Sequence, residues 1–435
     1  MIWDPAHECM AREELRGLQL ARLRETLARV YERVPFYRRL FDERGVKPED
    51  LKTLEDIRRF PFTTKEALRD HYPYGLFAVP LKEVVRLHAS SGTTGRPTVV
   101  GYTKKDLETW SELVARIAAM AGVSPDDVVQ ITFGYGLFTG AFGLHYGLEK
   151  LGATVIPASV GNSERQVMIM RDFGTTVLVG TPSYVLHLGE TARAMGIEPR
   201  EQLSVRLGLF GAEAWSEEMR RELEEMWGMR ATDNYGLSEV MGPGVCGECL
   251  SSPGTMHIAE DHFLVEIVDP ETGEPLDYGQ EGEVVITTLT KEALPLVRYR
   301  TRDISLLYPD PCPCGRTTAR LRKVVGRTDD MLIVSGVNVF PSQIESVLMQ
   351  IEGIAPHYQI VVGKKGYLDY LEVQVEVAPE SFTGNYRDLE ALEEKVRRRL
   401  AAVLSINPRV RLLEPCSLER SQGKAKRVID NRPRA

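Results

Sequence analysis

The sequence predicts an α/β protein with a large N-terminal domain, which combines helix-covered sheets with a β-rich part, and a small α+β C-terminal domain. Two observations support this fold class. Between residues 85 and 215, short apolar runs alternate with helical patterns, which is typical of a mostly parallel sheet covered by helices. After about residue 255 strand patterns dominate, and near residue 329 a compact unit of about a hundred residues begins. We therefore expect domains at residues 1–328 and 329–435.

Bulk composition limits the classes of function. The chain has 435 residues, of which 43% are hydrophobic and 27% charged, which is ordinary for a globular protein in water. The net charge of −8 does not favour a nucleic-acid partner. The first fifteen residues carry five charged side chains, and no apolar run is long enough to span a bilayer. We expect a cytoplasmic protein that binds neither nucleic acid nor membrane.

The N-terminal part is predicted to begin with helices. Leucines at helical spacing predict a helix over Arg12–Tyr31 that ends at Pro35, whereas residues 60–80, rich in proline and aromatic residues, are expected to be irregular. A second helix is predicted over residues 103–120, with Thr103 as its N-cap. Buried strands are predicted at Val128–Phe133, Ala153–Pro157, Thr176–Val179 and Val205–Phe210.

The remainder of the chain has a different pattern. Phe263–Val268 and Glu283–Thr288 predict strands that are joined through a turn at residues 269–273. Further on, Ser342 and Glu345 have the spacing of a capping box at the start of a helix. The C-terminal elements expected are strands at Met331–Val334, Gln359–Val362, Leu371–Val377 and Val410–Leu413, and helices at Ser342–Ile351 and Leu389–Leu404.

The segment Ser90–Pro97, with the sequence SSGTTGRP, is the most informative for function. Its glycines and hydroxyl side chains offer many hydrogen-bond donors at close range, which is what the binding of a polyphosphate requires. The segment is not a Walker loop, because the pattern G-x-x-x-x-G-K-[ST] is absent. On composition alone, a flexible surface loop explains it better.

This segment resembles the phosphate loop of the adenylate-forming superfamily, which includes the acyl-CoA synthetases. Further segments match that superfamily in the same order, so the resemblance covers most of residues 90–424. One departure is Arg302, which stands where many members carry glycine. The matching segments are Gly211–Glu213, Asn234–Glu239, Tyr299–Asp303, Gly326–Asp329 and Gly423–Lys424.

Within the superfamily, longer stretches are similar to the phenylacetate-CoA ligase branch, among them Tyr235–Gly244 and Ser335–Gln343. This resemblance implies ligation of phenylacetate, an aryl acid, to coenzyme A through an acyl-adenylate, with ATP consumed and AMP and pyrophosphate released. It implies ATP, coenzyme A and Mg²⁺ as cofactors and small molecules as partners. A homodimer is a further expectation.

The resemblance also assigns roles to residues. Lys424 would bridge the acid carboxylate and the α-phosphate, and Glu239 would hold Mg²⁺ on the phosphates. Asp329 would be the hinge about which a mobile C-terminal domain rotates. The residues implied to bind ATP or AMP are Ser90, Ser91, Gly92, Thr93, Thr94, Gly95, Gly211, Ala212, Glu213, Asn234, Tyr235, Gly236, Ser238, Asp303 and Arg327.

The binding site of the acid is expected after the predicted strand at Val128–Phe133, because ligands often bind at strand ends in α/β sheets. Glycines there leave room, and aromatic rings stack on a flat acid. Ordinary core packing explains each aromatic residue equally well. The expected acid pocket comprises Phe133, Tyr135, Gly136, Phe138, Ala158, Ala212 and Pro243.

The cysteines are few but grouped, which favours a metal site over a disulfide framework. Cysteine and histidine at short spacing in two distant turns are typical of a structural zinc site. By resemblance to zinc-containing members of the branch, the expected ligands are Cys249, His257, Cys312 and Cys314, with Cys246 in reserve. Reduced, buried thiols are the alternative.

Two alternative functions remain from the sequence. One is a CoA ligase for benzoate or another aryl acid. The other is a non-catalytic nucleotide-binding or regulatory protein with the same fold, and the presence of Lys424, Glu239 and Asp303 argues against it. Without the resemblance, Glu239 and Asp303 would be interpreted as a surface carboxylate and a cap.

Overall fold

The computed structural model describes residues 1–90, 97–328, 332–334, 337–365, 368–382, 385–404, 406–420 and 425–432. Seven of the expected site residues lie outside this described part of the chain, namely Ser91, Gly92, Thr93, Thr94, Gly95, Asp329 and Lys424.

Helices cover both the N-terminal and the C-terminal parts of the chain. They are α1 (Pro5–Glu8), α2 (Arg12–Arg33), α3 (Pro35–Arg44), α4 (Lys65–Asp70), α5 (Lys104–Ala121), α6 (Gly140–Leu151), α7 (Ser163–Phe173), α8 (Pro182–Ala194), α9 (Pro199–Gln202), α10 (Glu217–Trp227), α11 (Pro341–Leu348) and α12 (Tyr386–Leu404). Short 3₁₀ helices lie at Pro48–Asp50, Leu54–Arg59, Leu81–Glu83 and Pro379–Ser381.

The strands follow in chain order. They are β1 (Arg86–Ser90), β2 (Thr98–Tyr102), β3 (Val128–Ile131), β4 (Thr154–Ile156), β5 (Val177–Gly180), β6 (Leu207–Gly211), β7 (Arg230–Leu237), β8 (Gly242–Glu248), β9 (Thr255–Ile258), β10 (Phe263–Val268), β11 (Gly282–Thr288), β12 (Tyr299–Ser305), β13 (Leu307–Tyr308), β14 (Arg320–Arg322), β15 (Gly326–Arg327), β16 (Leu332–Val334), β17 (Val337–Val339), β18 (Ile354–Lys365), β19 (Leu368–Val377), β20 (Arg409–Leu413) and β21 (Val428–Asp430).

The largest sheet has the strand order β13-β14-β9-β8-β7-β6-β5-β3-β4. Strands β4, β3, β5, β6 and β7 run parallel to their neighbours, and antiparallel pairing begins between β7 and β8. A second sheet, β10-β11-β12-β15, is antiparallel. The predicted α/β class, with a helix-covered parallel sheet and a β-rich part, is confirmed.

The C-terminal part has a sheet and a core of its own. Its sheet has the order β20-β19-β18-β21, and α11 and α12 contact each other beside it. A separate apolar cluster contains Val339, Ile344, Ile360, Val373 and Leu400, each fully buried. This is the compact α+β unit that the sequence predicts.

Several local expectations are wrong. The helix from Arg12 does end just before Pro35, at Arg33, but a second helix, α3, which was not expected, begins at Pro35, because proline has the backbone geometry of a helix start. The segment 60–80 is not wholly irregular, since it contains α4. The helix expected from Ser342 begins at Pro341 and ends at Leu348.

Transmembrane helices were sought in the described ranges. None of the helices there is both long and apolar enough to cross a bilayer.

Candidate active site

A cavity of about 200 Å³ opens at the carboxyl ends of the parallel strands β6 and β7 and is closed by β12, β15 and the start of α11. Ligands of open α/β sheets bind at this end of the strands. Many residues expected to bind the nucleotide line this cavity: Ala212, Glu213, Asn234, Tyr235, Gly236, Asp303 and Arg327.

The backbone of the Gly211–Glu213 loop is shaped by close packing. A Cβ on Gly211 would lie 2.6 Å from the Asn234 carbonyl oxygen, so only glycine fits beside β7. Ala212 has φ of +68°, a left-handed conformation that directs the chain toward the cavity. The loop therefore brings its backbone close to whatever occupies the cavity.

Asp303 is held by two partners within the cavity. The Tyr235 hydroxyl donates to Asp303 Oδ2 at 2.6 Å, and the Arg327 guanidinium lies 3.4 Å from Oδ1. Asp303 and Arg327 are also register partners on β12 and β15. Arg302 adopts φ of +69°, a left-handed conformation that glycine adopts more readily than other residues. The result is a buried carboxylate beside a fixed guanidinium.

Glu239 and Ser238 lie just beyond β7. Ser238 Oγ is 2.8 Å from Thr139 Oγ1, and both side chains are buried. Glu239 is also buried, and Lys65 Nζ lies 3.4 Å from its Oε1. Sequence reasoning missed Lys65, the first residue of α4, and no local signal pointed to it, because its partner Glu239 is distant in the sequence.

Glu213 connects this site with the C-terminal part. It accepts hydrogen bonds from the Ser183 amide at 2.8 Å, the Ser183 hydroxyl at 3.0 Å and the Ala425 amide at 3.3 Å. Burial raises the pKa of Glu213. Ala425 directly follows Lys424 in the sequence, so the chain beside the expected catalytic lysine is anchored at the cavity wall.

Two further charged residues of the cavity were missed by the sequence reasoning. Asp233 accepts a hydrogen bond from Trp215 Nε1 at 3.0 Å, and burial raises the pKa of Asp233 to about 6. Lys323 Nζ lies 3.8 Å from the centroid of the Trp215 ring, and burial lowers the pKa of Lys323. Asp233 precedes the Asn234 motif directly and could have been included, whereas nothing local distinguishes Lys323.

The segment expected to be the phosphate loop is flanked by described strands. β1 and β2 pair antiparallel, and their last register pair joins Ser90 to Thr98. The loop residues between them lie outside the described part of the chain. The hairpin therefore fixes where the loop starts and ends.

Four of the expected acid-pocket residues, Phe133, Tyr135, Gly136 and Phe138, lie in the loop that follows β3. The Phe133 and Phe138 rings have centroids 6.4 Å apart, and a Cβ on Gly136 would meet no described heavy atom within 4 Å. Tyr135 instead turns toward α6, with its hydroxyl 3.1 Å from His145 Nδ1. The other three expected residues lie elsewhere along the chain. Ala212 lines the nucleotide cavity. The Ala158 amide donates a hydrogen bond to the Ile156 carbonyl, and the Pro243 carbonyl accepts one from Trp110 Nε1.

The four expected metal ligands do come together. Side-chain ligand atoms of Cys249, His257, Cys312 and Cys314 all lie within 4.8 Å of one another. Cys249 Sγ is 3.6 Å from Cys312 Sγ, too far for a disulfide, and Cys314 Sγ is 3.4 Å from His257 Nε2. His257 Nδ1 lies 3.0 Å from Thr318 Oγ1, which leaves Nε2 directed at the cluster.

The pKa shifts in this cluster differ from ligand to ligand. Burial lowers the pKa of His257 to about 3, which keeps the imidazole neutral, as metal coordination requires. Burial raises the pKa of the Cys249 thiol to about 12 in the absence of a cation. Burial also acts to raise the pKa of Cys314, but hydrogen bonds and charge from Arg316 outweigh it and lower that pKa.

Cys246 does not belong to the cluster. It lies on β8 opposite Tyr235 and packs in the main apolar core, where burial raises its pKa. The reserve assignment of Cys246 as a metal ligand is therefore wrong. Cys246 lies within β8, whereas Cys249 follows the end of that strand and packs against Cys312.

Family models match both parts of the chain. The model described as AMP-binding enzyme matches residues 43–289, more than half of the chain. The model described as AMP-binding enzyme C-terminal domain matches residues 336–432. The family expected from the motifs is confirmed.

Solved structures share the complete fold. 2-Hydroxyisobutyryl-CoA ligase in the postadenylation state, in complex with 2-HIB-AMP, aligns with a TM-score of 0.93 at 31% identity, covering 99% of this chain and 92% of that one. The same enzyme in the thioesterification state, in complex with 2-HIB-AMP and CoA, aligns with a TM-score of 0.73 at 32% identity, covering 98% and 92%.

Curated relatives extend the sequence match over nearly the whole chain. The phenylacetate-coenzyme A ligase of Thermus thermophilus is 51% identical over 99% of this chain and 100% of its own length. The phenylacetate-coenzyme A ligase of Escherichia coli is 50% identical over 99% of this chain and 97% of its own length. With the motifs in order and the fold shared throughout, the chain belongs to the phenylacetate-coenzyme A ligase family of AMP-binding enzymes.

Proposed function

We propose that this protein joins phenylacetate to coenzyme A in two steps, consuming ATP and releasing AMP and pyrophosphate. The observation that carries the proposal is the roughly 50% identity to phenylacetate-coenzyme A ligases along nearly the entire chain. The nucleotide cavity, built from residues of the same motifs, supports it.

In the first step, a carboxylate oxygen of the acid attacks the α-phosphorus of ATP, and pyrophosphate leaves. Negative charge accumulates on the oxygens of the reacting phosphate, so positioned cations and donors supply most of the catalysis. Lys424 and the phosphate loop stabilise this negative charge, and Ser238 contacts the α-phosphate. Asp303 and Arg327 bind the ribose. The Asp303 carboxylate can accept hydrogen bonds from both ribose hydroxyls.

The Glu239 carboxylate fits a magnesium site, since it offers hard oxygen atoms in a buried position. Lys65 shows that the position already attracts a cation. When bound, Mg²⁺ neutralises charge on the phosphates. Before that, Lys65 compensates the buried charge of Glu239.

In the second step, the thiol of coenzyme A attacks the acyl carbon and displaces AMP. Both steps use one nucleotide site, so the C-terminal domain rotates about Asp329 between them. Phe133 and Phe138 form walls of the acid pocket, and the open space beside Gly136 admits the ring.

We also propose that Cys249, His257, Cys312 and Cys314 hold a structural zinc ion. Tetrahedral coordination with Zn–S bonds of about 2.3 Å and Zn–N bonds of about 2.0–2.1 Å requires sulfur–sulfur edges of about 3.8 Å and sulfur–nitrogen edges of about 3.5 Å. The observed 3.6 Å and 3.4 Å are close to these values. The site would tie the end of β8 to the loop between β13 and β14.

A substrate panel tests the function. Purified protein is given ATP, coenzyme A and phenylacetate, benzoate, a hydroxylated phenylacetate or hexanoate, and both pyrophosphate and the CoA thioester are measured. We expect the highest kcat/KM with phenylacetate. A higher value with benzoate would move the assignment to another aryl acid, and nucleotide binding without pyrophosphate release from any acid would indicate a non-catalytic protein. The homodimer and the cytoplasmic location stay predictions from sequence.

A further inference from the structure

Glu190 on α8 forms an ionic contact between the two parts of the chain. Its carboxylate lies 2.5 Å from His357 Nε2 on β18 and 3.6 Å from Arg420 Nε, both in the C-terminal part. His187, one turn earlier on α8, lies 3.8 Å away. Burial alone would raise the pKa of Glu190, but the neighbouring His187, the hydrogen bond with His357 and the charge of Arg420 lower it to about 2. The carboxylate is therefore ionised at any physiological pH.

The C-terminal side of this contact is rigidly built. Arg420 also binds Glu376 on β19 with two parallel hydrogen bonds of 2.8 Å. Glu376 is buried and accepts the amides of Cys416 and Leu418, at 3.0 Å and 2.7 Å. Glu376 thus fixes the segment 416–420 to the C-terminal sheet, and Glu190 fixes the same segment to α8.

The segment 416–420 lies close in sequence to the expected catalytic lysine, Lys424. Arg420 lies four residues before Lys424, and Ala425, immediately after Lys424, donates to Glu213. Anchors therefore bracket the expected catalytic lysine on both sides, and both are carboxylates of the N-terminal part. The arrangement of the whole chain is also closer to the postadenylation state of 2-hydroxyisobutyryl-CoA ligase than to its thioesterification state.

We propose that Glu190 is a positioning residue for adenylate formation, which holds His357 and Arg420 so that the C-terminal part stays in the arrangement described here. The proposal rests on the two-step function above. In the second step the C-terminal domain must leave α8, so the contact then breaks. Glu190 consequently favours one half-reaction over the other without touching a substrate.

Half-reaction assays on Glu190→Gln test this inference, with Glu198→Gln as the matched control. Glu198 pairs with Arg193 at 3.0 Å on the surface of the N-terminal part, so its loss leaves the contact between the two parts intact. For Glu190→Gln, we expect adenylate formation to slow about tenfold, the size of effect that changes at such coupling contacts have. Thioester formation from supplied acyl-adenylate should be unchanged or faster, and Glu198→Gln should resemble the parent in both assays.

A double-mutant cycle adds a second readout. If Glu190 acts through His357, the combined variant of Glu190→Gln and His357→Ala should lose less adenylation activity than the two single losses predict. Equal slowing of both half-reactions in Glu190→Gln, or full additivity in the cycle, would overturn the proposal. Failure of the parent protein to form any acyl-adenylate would instead refute the proposed function, so the two failures are distinguishable.

Discussion

Removal of the zinc ion proposed at the Cys249 cluster is expected to destabilise the N-terminal part strongly while leaving nucleotide binding nearly intact. Cys249 and Cys312 are 63 residues apart in the sequence, and a link that closes a loop of this length restricts the unfolded chain by about 4 kcal/mol at 25 °C. The metal supplies this link because both thiolates bind one ion. We therefore expect a chelator to lower the free energy of unfolding by about 4 kcal/mol.

Removal of the zinc ion should change the shape of the nucleotide cavity little, because the cavity and the cluster lie on opposite sides of β9. Met256 lines the cavity, whereas the adjacent His257 on β9 faces the cluster, because neighbouring side chains of a strand point to opposite sides. Loss of the metal loosens the loop of Cys312 and Cys314 before it disturbs the cavity. AMP affinity should thus change far less than stability.

The assay combines metal analysis, urea unfolding and AMP titration on the parent, Cys249→Ala and Cys246→Ala. About one zinc per chain is expected in the parent, since four ligands define one closed site. Cys249→Ala should lose the metal, and Cys246→Ala, which alters a buried thiol on β8 outside the cluster, should keep it. Metal-free parent protein with undiminished stability would refute the reasoning, as would metal loss in Cys246→Ala but not in Cys249→Ala.

Three further predictions concern the nucleotide site. Lys424→Ala should slow adenylate formation by about 10²–10³ while sparing thioester formation from supplied acyl-adenylate, whereas Lys426→Ala should do much less; equal, mild losses would remove Lys424 from the catalytic assignment. Tyr235→Phe removes the donor to Asp303 and should weaken AMP binding about tenfold, since hydrogen bonds to charged groups contribute roughly 1.5–3 kcal/mol; unchanged affinity in calorimetric titration would contradict this. Burial raises the pKa of Asp233 from 3.8 to about 6, so its stabilising contribution is complete below about pH 4 and is lost as the pH rises through 6. Asp233→Asn should therefore gain on the order of 2–3 kcal/mol of unfolding free energy relative to the parent between pH 4 and pH 7, and urea unfolding that shows a pH-independent difference would argue against it.

Contiguous patterns predicted the fold well. The strand at Phe263–Val268 agrees with β10 at both ends, and Thr103 caps α5 with its hydroxyl as expected. Such elements depend on side-chain alternation and on hydrogen bonds within a few residues, and both can be predicted from a single sequence. The cysteine and histidine cluster was also predictable in outline, because soft ligands are rare and closely spaced. Only the structure separated Cys249, which follows β8 and joins the cluster, from Cys246, which is buried within β8.

The predicted capping box shows where local rules fail. Ser342 and Glu345 have the correct spacing, yet the helix start is capped by Gln343, whose Oε1 accepts the Phe340 amide at 3.0 Å. The Glu345 carboxylate accepts instead from the Ser216 amide at 2.9 Å and the Tyr358 hydroxyl at 2.9 Å. Both partners are distant in sequence, and neither could be identified from the residues around Ser342.

The sequence by itself determined the order of the motifs and the class of the fold, because both depend on short contiguous patterns. The resemblance of those motifs to a known superfamily identified several residues of the nucleotide cavity. Only the tertiary structure decided that Lys65 faces Glu239 and that Glu190 faces His357, 167 residues further along. A residue's own neighbours determine its helix or strand, but its charge partner depends on how entire sheets and helices pack against each other. Pairings between distant segments therefore leave no local trace in the sequence.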